Sequence, residues 1–294
     1  MAKPIAFATD TEWPQLIPSD QLAQAALTEL GAAVAPVIWD ADVDWAQYRA
    51  VVIRSTWDYH IRAAEFTAWL NALERAGVPV LNPLPVIRWN MHKRYLAELE
   101  ADGIRIVPSL WLAQGQPQPY AAVQQRGWTQ AALKPLVSAD SYHTYVIEDE
   151  AEWNTHQPEV LALGDAVVQE FMPEVQSVGE YSLLFFGDQY SHAVLKTPKS
   201  GDFRTQMGYG ASTEAVEASP ELIAQAARVL ETVSNLLGAQ TQHRPLAYAR
   251  VDGILREDAF YLMELELIEP NLFLDYSPGA AQHFARTLLA QLEN

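Results

Sequence analysis

The first ninety residues alternate short apolar strands with helices, and this alternation limits the possible folds more than any other feature. Residues 4–8, 33–39, 49–53 and 78–81 are apolar runs. Residues 19–31 carry Leu22, Ala26, Leu27 and Leu30 at helical spacing and stop at Gly31, and residues 61–77 form a second amphipathic stretch that ends in Gly77. Short strands separated by helices predict a parallel, doubly wound sheet of the α/β class. Asn82-Pro83-Leu84-Pro85 then interrupts the pattern and marks the expected domain boundary.

Beyond the interruption the pattern changes. Residues 88–102 read as one helix, 106–112 as a strand, and 131–136, 144–147 and 166–171 as strands with a helix between the last two. Longer β-runs follow at 181–186 and 190–195, joined by a turn at Gly187-Asp188. Residues 197–213 are polar, carry three glycines and predict a mobile loop. Ser219-Pro220 opens a helix as cap and first-turn proline, and Gly238 is expected to close it. A hairpin over 246–255 and 259–267 and a helix over 278–292 complete an α+β C-terminal part.

Charge narrows the function classes. There are 37 Asp and Glu against 19 Lys and Arg, a net charge of −18, which excludes nucleic-acid binding through a general basic face. The absence of cysteine excludes disulfides, thiolate metal sites and thiol nucleophiles. The start lacks a signal-peptide core, and no run reaches the roughly 18 apolar residues of a membrane span, so a cytoplasmic chain with no membrane partner is expected.

Common phosphate, dinucleotide, hydrolase and zinc motifs are missing, and the informative residues lie in the C-terminal two-thirds. Asp252 sits in one strand of the expected hairpin, with Glu264 and Glu266 two apart in the other, so period-two geometry puts the two glutamates on one face and Met263, Leu265 and Leu267 on the opposite one. Hard oxygen ligands from adjacent strands suit Mg²⁺; a solvated sheet face explains them equally well. Of five lysines, Lys93 follows the boundary, Lys134 and Lys196 end apolar strands, and Lys199 lies with Arg204 in the polar loop. Strand-end lysines beside polar loops suit a triphosphate, although snorkelling side chains give the same pattern. Residues 167–173 (VVQEFMP) form an apolar strand that turns at a proline.

Taken in order, Lys93, then Lys134-Pro135 with a polar loop, then Gln169-Glu170-Phe171-Met172-Pro173 and Gly179-Glu180, then the Lys/Arg loop, then Asp252 with Glu264-Leu265-Glu266 resemble the ATP-grasp superfamily, over residues 89–275. The likeness is greatest to its glutathione-synthetase and ribosomal-modification branch. It implies a substrate-binding domain at 1–88, a lid subdomain at 89–172 and a catalytic, metal-binding subdomain at 173–294. It further implies that Lys93 approaches the distal nucleotide phosphates and Lys134 the α/β phosphates or the adenine side, that Gln169, Glu170, Phe171 and Met172 read adenine, and that Glu180 binds ribose. Residues 138–144 stand where the family has a glycine-rich phosphate loop but contain no glycine, so Ser138, Ser141 or His143 would substitute. Lys196 and Arg204 match cations on the transferred group, and Asp252, Glu264 and Glu266 match the metal ligands, the last often Asn in the family.

The strings RSTWDYH (54–60), WNMHKRYL (89–96), YARVD (248–252) and MELELIEP (263–270) are similar to cycloserine-biosynthesis-type cyclo-ligases, which use ATP to close O-ureido-serine into D-cycloserine. The resemblance implies ATP and Mg²⁺ as cofactors and a small amino-acid-like or carboxylate substrate; a homodimer is compatible with it. The expected chemistry is phosphorylation of a carboxylate and attack by nitrogen on the acyl phosphate, with Arg250 either stabilising the oxyanion or salt-bridged to Glu264 or Glu266. A small-molecule kinase of the same architecture and a non-catalytic nucleotide-binding protein are the alternatives. Arg54, Ser55, Thr56, Trp57, Asp58 and Tyr59 follow a parallel strand at its carboxyl end, where crevices form, and are the candidates for substrate contact, with residues 9–13 second. Domain-interface packing would use the same Trp and Tyr.

Overall fold

The computed structural model describes residues 3–199, 201–202, 204–205, 208 and 210–293. Strands β1 (Ile5–Thr9), β2 (Val34–Ile38), β3 (Ala50–Ser55) and β4 (Val80–Leu81) pair in parallel in the order β2-β1-β3-β4, with α1 (Pro18–Glu29) and α2 (Ala63–Ala76) as crossovers. Both faces of β1 and β3 are covered, which is why they read as unbroken apolar runs.

Two helices, α3 (Leu84–Asn90) and α4 (Tyr95–Ala101), replace the single helix expected over 88–102. The prolines start α3 rather than ending a domain, and the break between the helices carries Lys93. The strands β5 (Ser109–Leu112), β6 (Ala131–Pro135), β7 (Tyr145–Ile147) and β8 (Ala166–Glu170) then form an antiparallel sheet in the order β5-β8-β6-β7, with α5 (Ala121–Gln124) and α6 (Glu150–Leu163) between strands. Leu133, Trp153, Val160 and Val168 fill its separate core.

After α7 (Glu174–Ser177), the strands β9 (Glu180–Phe186), β10 (Gln189–Thr197), β11 (Ser212–Val216), β12 (Tyr248–Arg256) and β13 (Ala259–Glu266) make an antiparallel sheet in the order β11-β10-β9-β12-β13. The helix α8 (Pro220–Thr241) lies between β11 and β12, and α9 (Ala280–Glu293) ends the chain. Strand β11 was not expected, because Ser212 and Thr213 lie on a polar, largely exposed edge strand with no apolar run to betray it. Residues 200, 203, 206, 207 and 209 of the expected mobile loop lie outside the described residues. Helix α8 passes Gly238 and ends at Gln242, which is left-handed at φ 56°. Gly238 is required for packing instead: a Cβ there would lie 2.6 Å from the His243 ring.

Two boundaries differ from expectation. Asn82 is a weld rather than a linker residue: its amide donates to the Tyr248 carbonyl (2.9 Å) and the Leu267 carbonyl (2.8 Å), and accepts from the Ala247 N–H (2.7 Å). Ile5, Phe7 and Leu27 share one core with Leu184, Tyr248 and Phe284, so the N-terminal sheet and the C-terminal sheet are joined through α9. Val86, Tyr95, Leu99 and Ile106 are buried with Leu183, Val229 and Leu262, so 86–106 packs into the core of the C-terminal sheet, and the separate core under the β5–β8 sheet takes its first residue, Leu112, from β5. Helix α1 buries Ser19, Asp20, Ala23, Ala26 and Leu27, while Leu22 and Leu30, expected inside, are 41% and 45% exposed. Among the described residues no helix is long and apolar enough to cross a membrane.

Candidate active site

The carboxyl ends of β1 and β3, the lid sheet and the face of β9, β10, β12 and β13 surround a cavity of about 770 Å³. Lys93 reaches it because the α3–α4 break turns the chain there. Its backbone N–H donates to the Leu136 carbonyl (2.8 Å), its Nζ donates to the Ser138 carbonyl, and Nζ lies 2.8 Å from Glu264 Oε1. Lys196 lies 2.7 Å from Glu180 and 3.3 Å from Asp252; burial opposes its charge, but these two carboxylates hold its pKa above the usual range. Arg204 pairs with Asp202 at 2.7 Å and also lines the cavity. Lys134 is different. Among the described residues it has no carboxylate within ion-pair distance, and burial lowers its pKa to about 8.

The three expected metal ligands share the same wall. Asp252 and Glu264 are register partners across β12 and β13, and Glu266 lies opposite Arg250. Arg250 donates to both Asp252 oxygens and to Glu266, so the ion-pair alternative for Arg250 holds, with Glu266 and Asp252 as its partners rather than Glu264. Asp252 is buried and Glu264 half-buried, and desolvation alone would favour their neutral forms, but Arg250 with Lys196, and Lys93 with Lys134, hold them below the ordinary range. Glu266 is pushed up to about 7 by burial and by Asp252 and Glu264, despite Arg250. Among the described residues no three acidic or histidine side chains already converge into a metal cage.

Glu180 accepts from Lys196 and, at 2.5 Å, from the Thr205 hydroxyl. Gln169 donates to the Ser109 hydroxyl at 3.2 Å, and Glu170 lies 3.5 Å from Arg256; both line the cavity, as do Phe171 and the almost fully buried Met172. The glycine-free loop takes glycine-like backbone shapes: Asp140, Ser141 and His143 have φ of 50°, 59° and 47°. Ser141 lines the cavity. Ser138 also does, but its hydroxyl donates to the Pro135 carbonyl at 3.0 Å, which turns it from a phosphate-binding role, and His143 does not line the cavity.

The expected substrate strand is split. Ile53 pairs with Ala8 and Ser55 with Thr9, so Arg54 is the extra residue of a β-bulge. Arg54 is 1% exposed, donates to Asp20 (3.0 Å) and the Pro270 carbonyl (2.6 Å), and is turned away from the cavity. Ser55 donates to Asp20 at 3.1 Å, and Thr56 is fully buried; neither lines the cavity. The expectation that Arg54, Ser55 and Thr56 touch substrate is therefore corrected: they anchor the base of the loop. Trp57, Asp58 and Tyr59 do line the cavity, although Asp58 is also tied to Trp39 (2.7 Å) and Arg62 (2.9 Å). Asp10 joins this loop to the one after β1, accepting from the backbone N–H of Glu12, Trp13 and Trp57.

Some lining residues escaped the sequence. Asp252 pairs with Glu264 but Gly253 with Leu262, so Met263 is the extra residue of a bulge and lines the cavity instead of the opposite face. Gly253 is the one signal for it: a Cβ there would lie 2.4 Å from the Tyr261 carbonyl oxygen. Thr213, Asn271, Phe273 and Glu269 also line the cavity, and no spacing rule reaches the irregular segment after β13.

Residues 5–82 match the family described as D-cycloserine synthetase DcsG, N-terminal domain. The cycloserine biosynthesis protein DcsG of Streptomyces lavendulae is 30% identical over 267 residues, covering 86% of this chain and 87% of that protein. The chain belongs to the D-cycloserine synthetase family of ATP-grasp ligases. A crystal structure of D-cycloserine synthetase superposes with a TM-score of 0.87 at 29% identity, covering 98% of this chain and 99% of that one. The ATP-grasp fold is also shared with D-alanine–D-alanine ligase from Bacillus anthracis complexed with ATP, at a TM-score of 0.69 and 14% identity over 99% of this chain and 98% of that one. Membership of this family makes the chain an ATP-using ligase of small-molecule substrates.

Proposed function

We propose that the chain is an ATP- and Mg²⁺-dependent carboxylate–nitrogen ligase that works through an acyl phosphate, closing O-ureido-D-serine into D-cycloserine. The observation that carries this is the cavity wall on which Lys93, Lys196, Arg250 and three acidic side chains alternate in charge, with Lys134 lining the same cavity and unpaired among the described residues. Such a wall neutralises a polyphosphate and a transferred phosphoryl group together. Substrate carboxylate oxygen attacks the γ-phosphorus and ADP leaves; the oxygen-bound ureido nitrogen then attacks the acyl carbon, orthophosphate leaves, and that nitrogen gives up its proton. Water then takes the carbamoyl group off the ring nitrogen, which releases CO2 and NH3 and leaves D-cycloserine. Lys134 meets the nucleotide phosphates from the lid, and Lys93, already bonded to the Ser138 carbonyl, holds the 138–144 loop over them. Phe171, Met172 and Met263 provide an apolar slot for the base. Lys196 and Arg204 follow the phosphoryl group, and Arg250 lies where an oxyanion would form.

Asp252, Glu264 and Glu266 fit a hard dication: all are oxygen donors on one wall, and burial together with the charges of Asp252 and Glu264 lifts Glu266 to about 7, a cost such an ion relieves. An Mg²⁺ ion held there by Asp252, Glu264 and Glu266 would supply charge neutralisation to the nucleotide phosphates. Trp57 and Tyr59, with Trp13 packed edge-on against Trp57 at 6.2 Å, form the substrate end. The test is ADP release with O-ureido-D-serine, with D-cycloserine identified by mass. Formation of a stable phosphoester, with no hydroxamate in the presence of hydroxylamine, would favour a kinase.

A further inference from the structure

The acidic side chains of the inner cavity are not equivalent. Glu180 is paired with Lys196, Asp252 with Lys196 and Arg250, Glu264 with Lys93, and Glu266 with Arg250. Glu269 lines the same cavity at 8% exposure, and among the described residues no hydrogen bond or ion pair reaches its carboxylate. Its main chain is nevertheless fixed, because Trp57 Nε1 donates to the Glu269 carbonyl at 3.0 Å. That bond joins the substrate loop of the N-terminal domain to the segment after β13. Burial, then the charge of Glu266, holds the Glu269 carboxyl well above its usual range, and Lys93 and Arg250 only partly oppose this. The neighbouring Tyr59 phenol is raised by burial and by the same carboxylate. A buried carboxylate without a cation is costly, and a cation that arrives with the substrate removes the cost.

We propose that Glu269 receives the α-ammonium group of an amino-acid substrate, in a subsite walled by Trp57 and Tyr59. This rests on the ligase activity proposed above and assigns to one side chain the recognition of the amine of its amino-acid substrate. The geometry orients such a molecule with its ammonium at Glu269 and its carboxylate toward Arg250 and Lys196. Each of the four other carboxylates has a protein cation beside it, so of these five Glu269 is the one left for a substrate cation among the described residues. Lys134 is the complementary case, a cavity cation left for phosphate.

The test compares two ligands that differ only in the amine: O-ureido-D-serine and 3-(ureidooxy)propanoate. Each is titrated calorimetrically into the full-length chain in the presence of ADP and Mg²⁺. The natural chain should bind the amine-bearing ligand roughly 10- to 150-fold more tightly, the range of one hydrogen bond to a charged group. In E269Q this preference should vanish while ADP affinity stays unchanged, and in E269D it should survive in part. Should E269Q fail to fold, the preference in the natural chain and its reduction in E269D decide the matter. Equal binding of both ligands by the natural chain, or an undiminished preference in the variants, would overturn the proposal. ADP release and product mass are read in parallel. Amine preference lost in E269Q but no turnover in the natural chain would sink the cyclo-ligase activity and leave the subsite standing. Turnover and preference both unchanged in E269Q would do the reverse.

Discussion

Arg54 donates to Asp20 across 3.0 Å in a place where neither side chain is exposed to solvent. The pair closes the base of the substrate loop, and Arg54 also ties that base to the Pro270 carbonyl at 2.6 Å, one residue beyond Glu269. Its role is to hold two segments of the cavity together without touching the cavity. Replacing one partner leaves the other charge buried, at a cost of about 3–5 kcal/mol. D20N and R54M should each lower the free energy of unfolding, measured by urea titration, by that amount. Nucleotide affinity of the fraction that remains folded should change less than about twofold, in keeping with a residue outside the site. A variant as stable as the natural chain but with weakened substrate binding would return Arg54 to the substrate.

Lys134 makes nucleotide binding depend on pH. Burial lowers its pKa to about 8, so the amine is charged below pH 8 and loses its proton as pH rises through that value. ATP affinity measured without Mg²⁺ should therefore fall as pH is raised from 7 to 9, with bound phosphate moving the midpoint upward. In K134R the guanidinium stays charged, and the fall should disappear. A fall of the same size in K134R would assign it to another group.

Glu266 gives the metal dependence the opposite sign. With a pKa near 7 it is largely neutral below that pH and becomes a competent ligand above it. Mg²⁺ activation of ADP release should tighten as pH rises from 6 to 8, and chelation should abolish release at every pH. E264Q should eliminate Mg²⁺-dependent turnover, by about 10²-fold or more, and leave nucleotide binding without Mg²⁺ largely intact. Loss of circular dichroism in E264Q would instead make Glu264 a structural partner of Lys93.

The bulge at Met263 depends on Gly253. An alanine Cβ would stand 2.4 Å from the Tyr261 carbonyl and 2.5 Å from the Phe260 ring, and overpacking of this kind costs about 1–3 kcal/mol. G253A should unfold earlier by that amount and also weaken ATP binding, because Met263 moves with the strand. Unchanged stability together with unchanged ATP affinity would show that the bulge tolerates the methyl group.

The parallel sheet was legible because β1 and β3 are covered on both faces and so read as pure apolar runs. The hairpin carrying Asp252, Glu264 and Glu266 was legible for a similar reason, since a strand's period of two appears directly in its residues. The bulges were not, because one extra residue re-aims a side chain without altering composition; Arg54 and Met263 each face away from where strict alternation puts them. Helix α1 hides its inner face for another reason, since Asp20 is buried by Arg54, a partner 34 residues away.

The chain's own order of residues determined the family, the parallel sheet and the hairpin that carries Asp252, Glu264 and Glu266, since each of these follows from local period or from motifs in sequence order. Tertiary structure alone decided which charges meet. Lys93 finds Glu264 across 171 residues, Arg250 takes Asp252 and Glu266, and no cation among the described residues pairs with Glu269. Charge pairing depends on distances of a few ångströms between segments far apart in the chain, and no one-dimensional pattern carries that information.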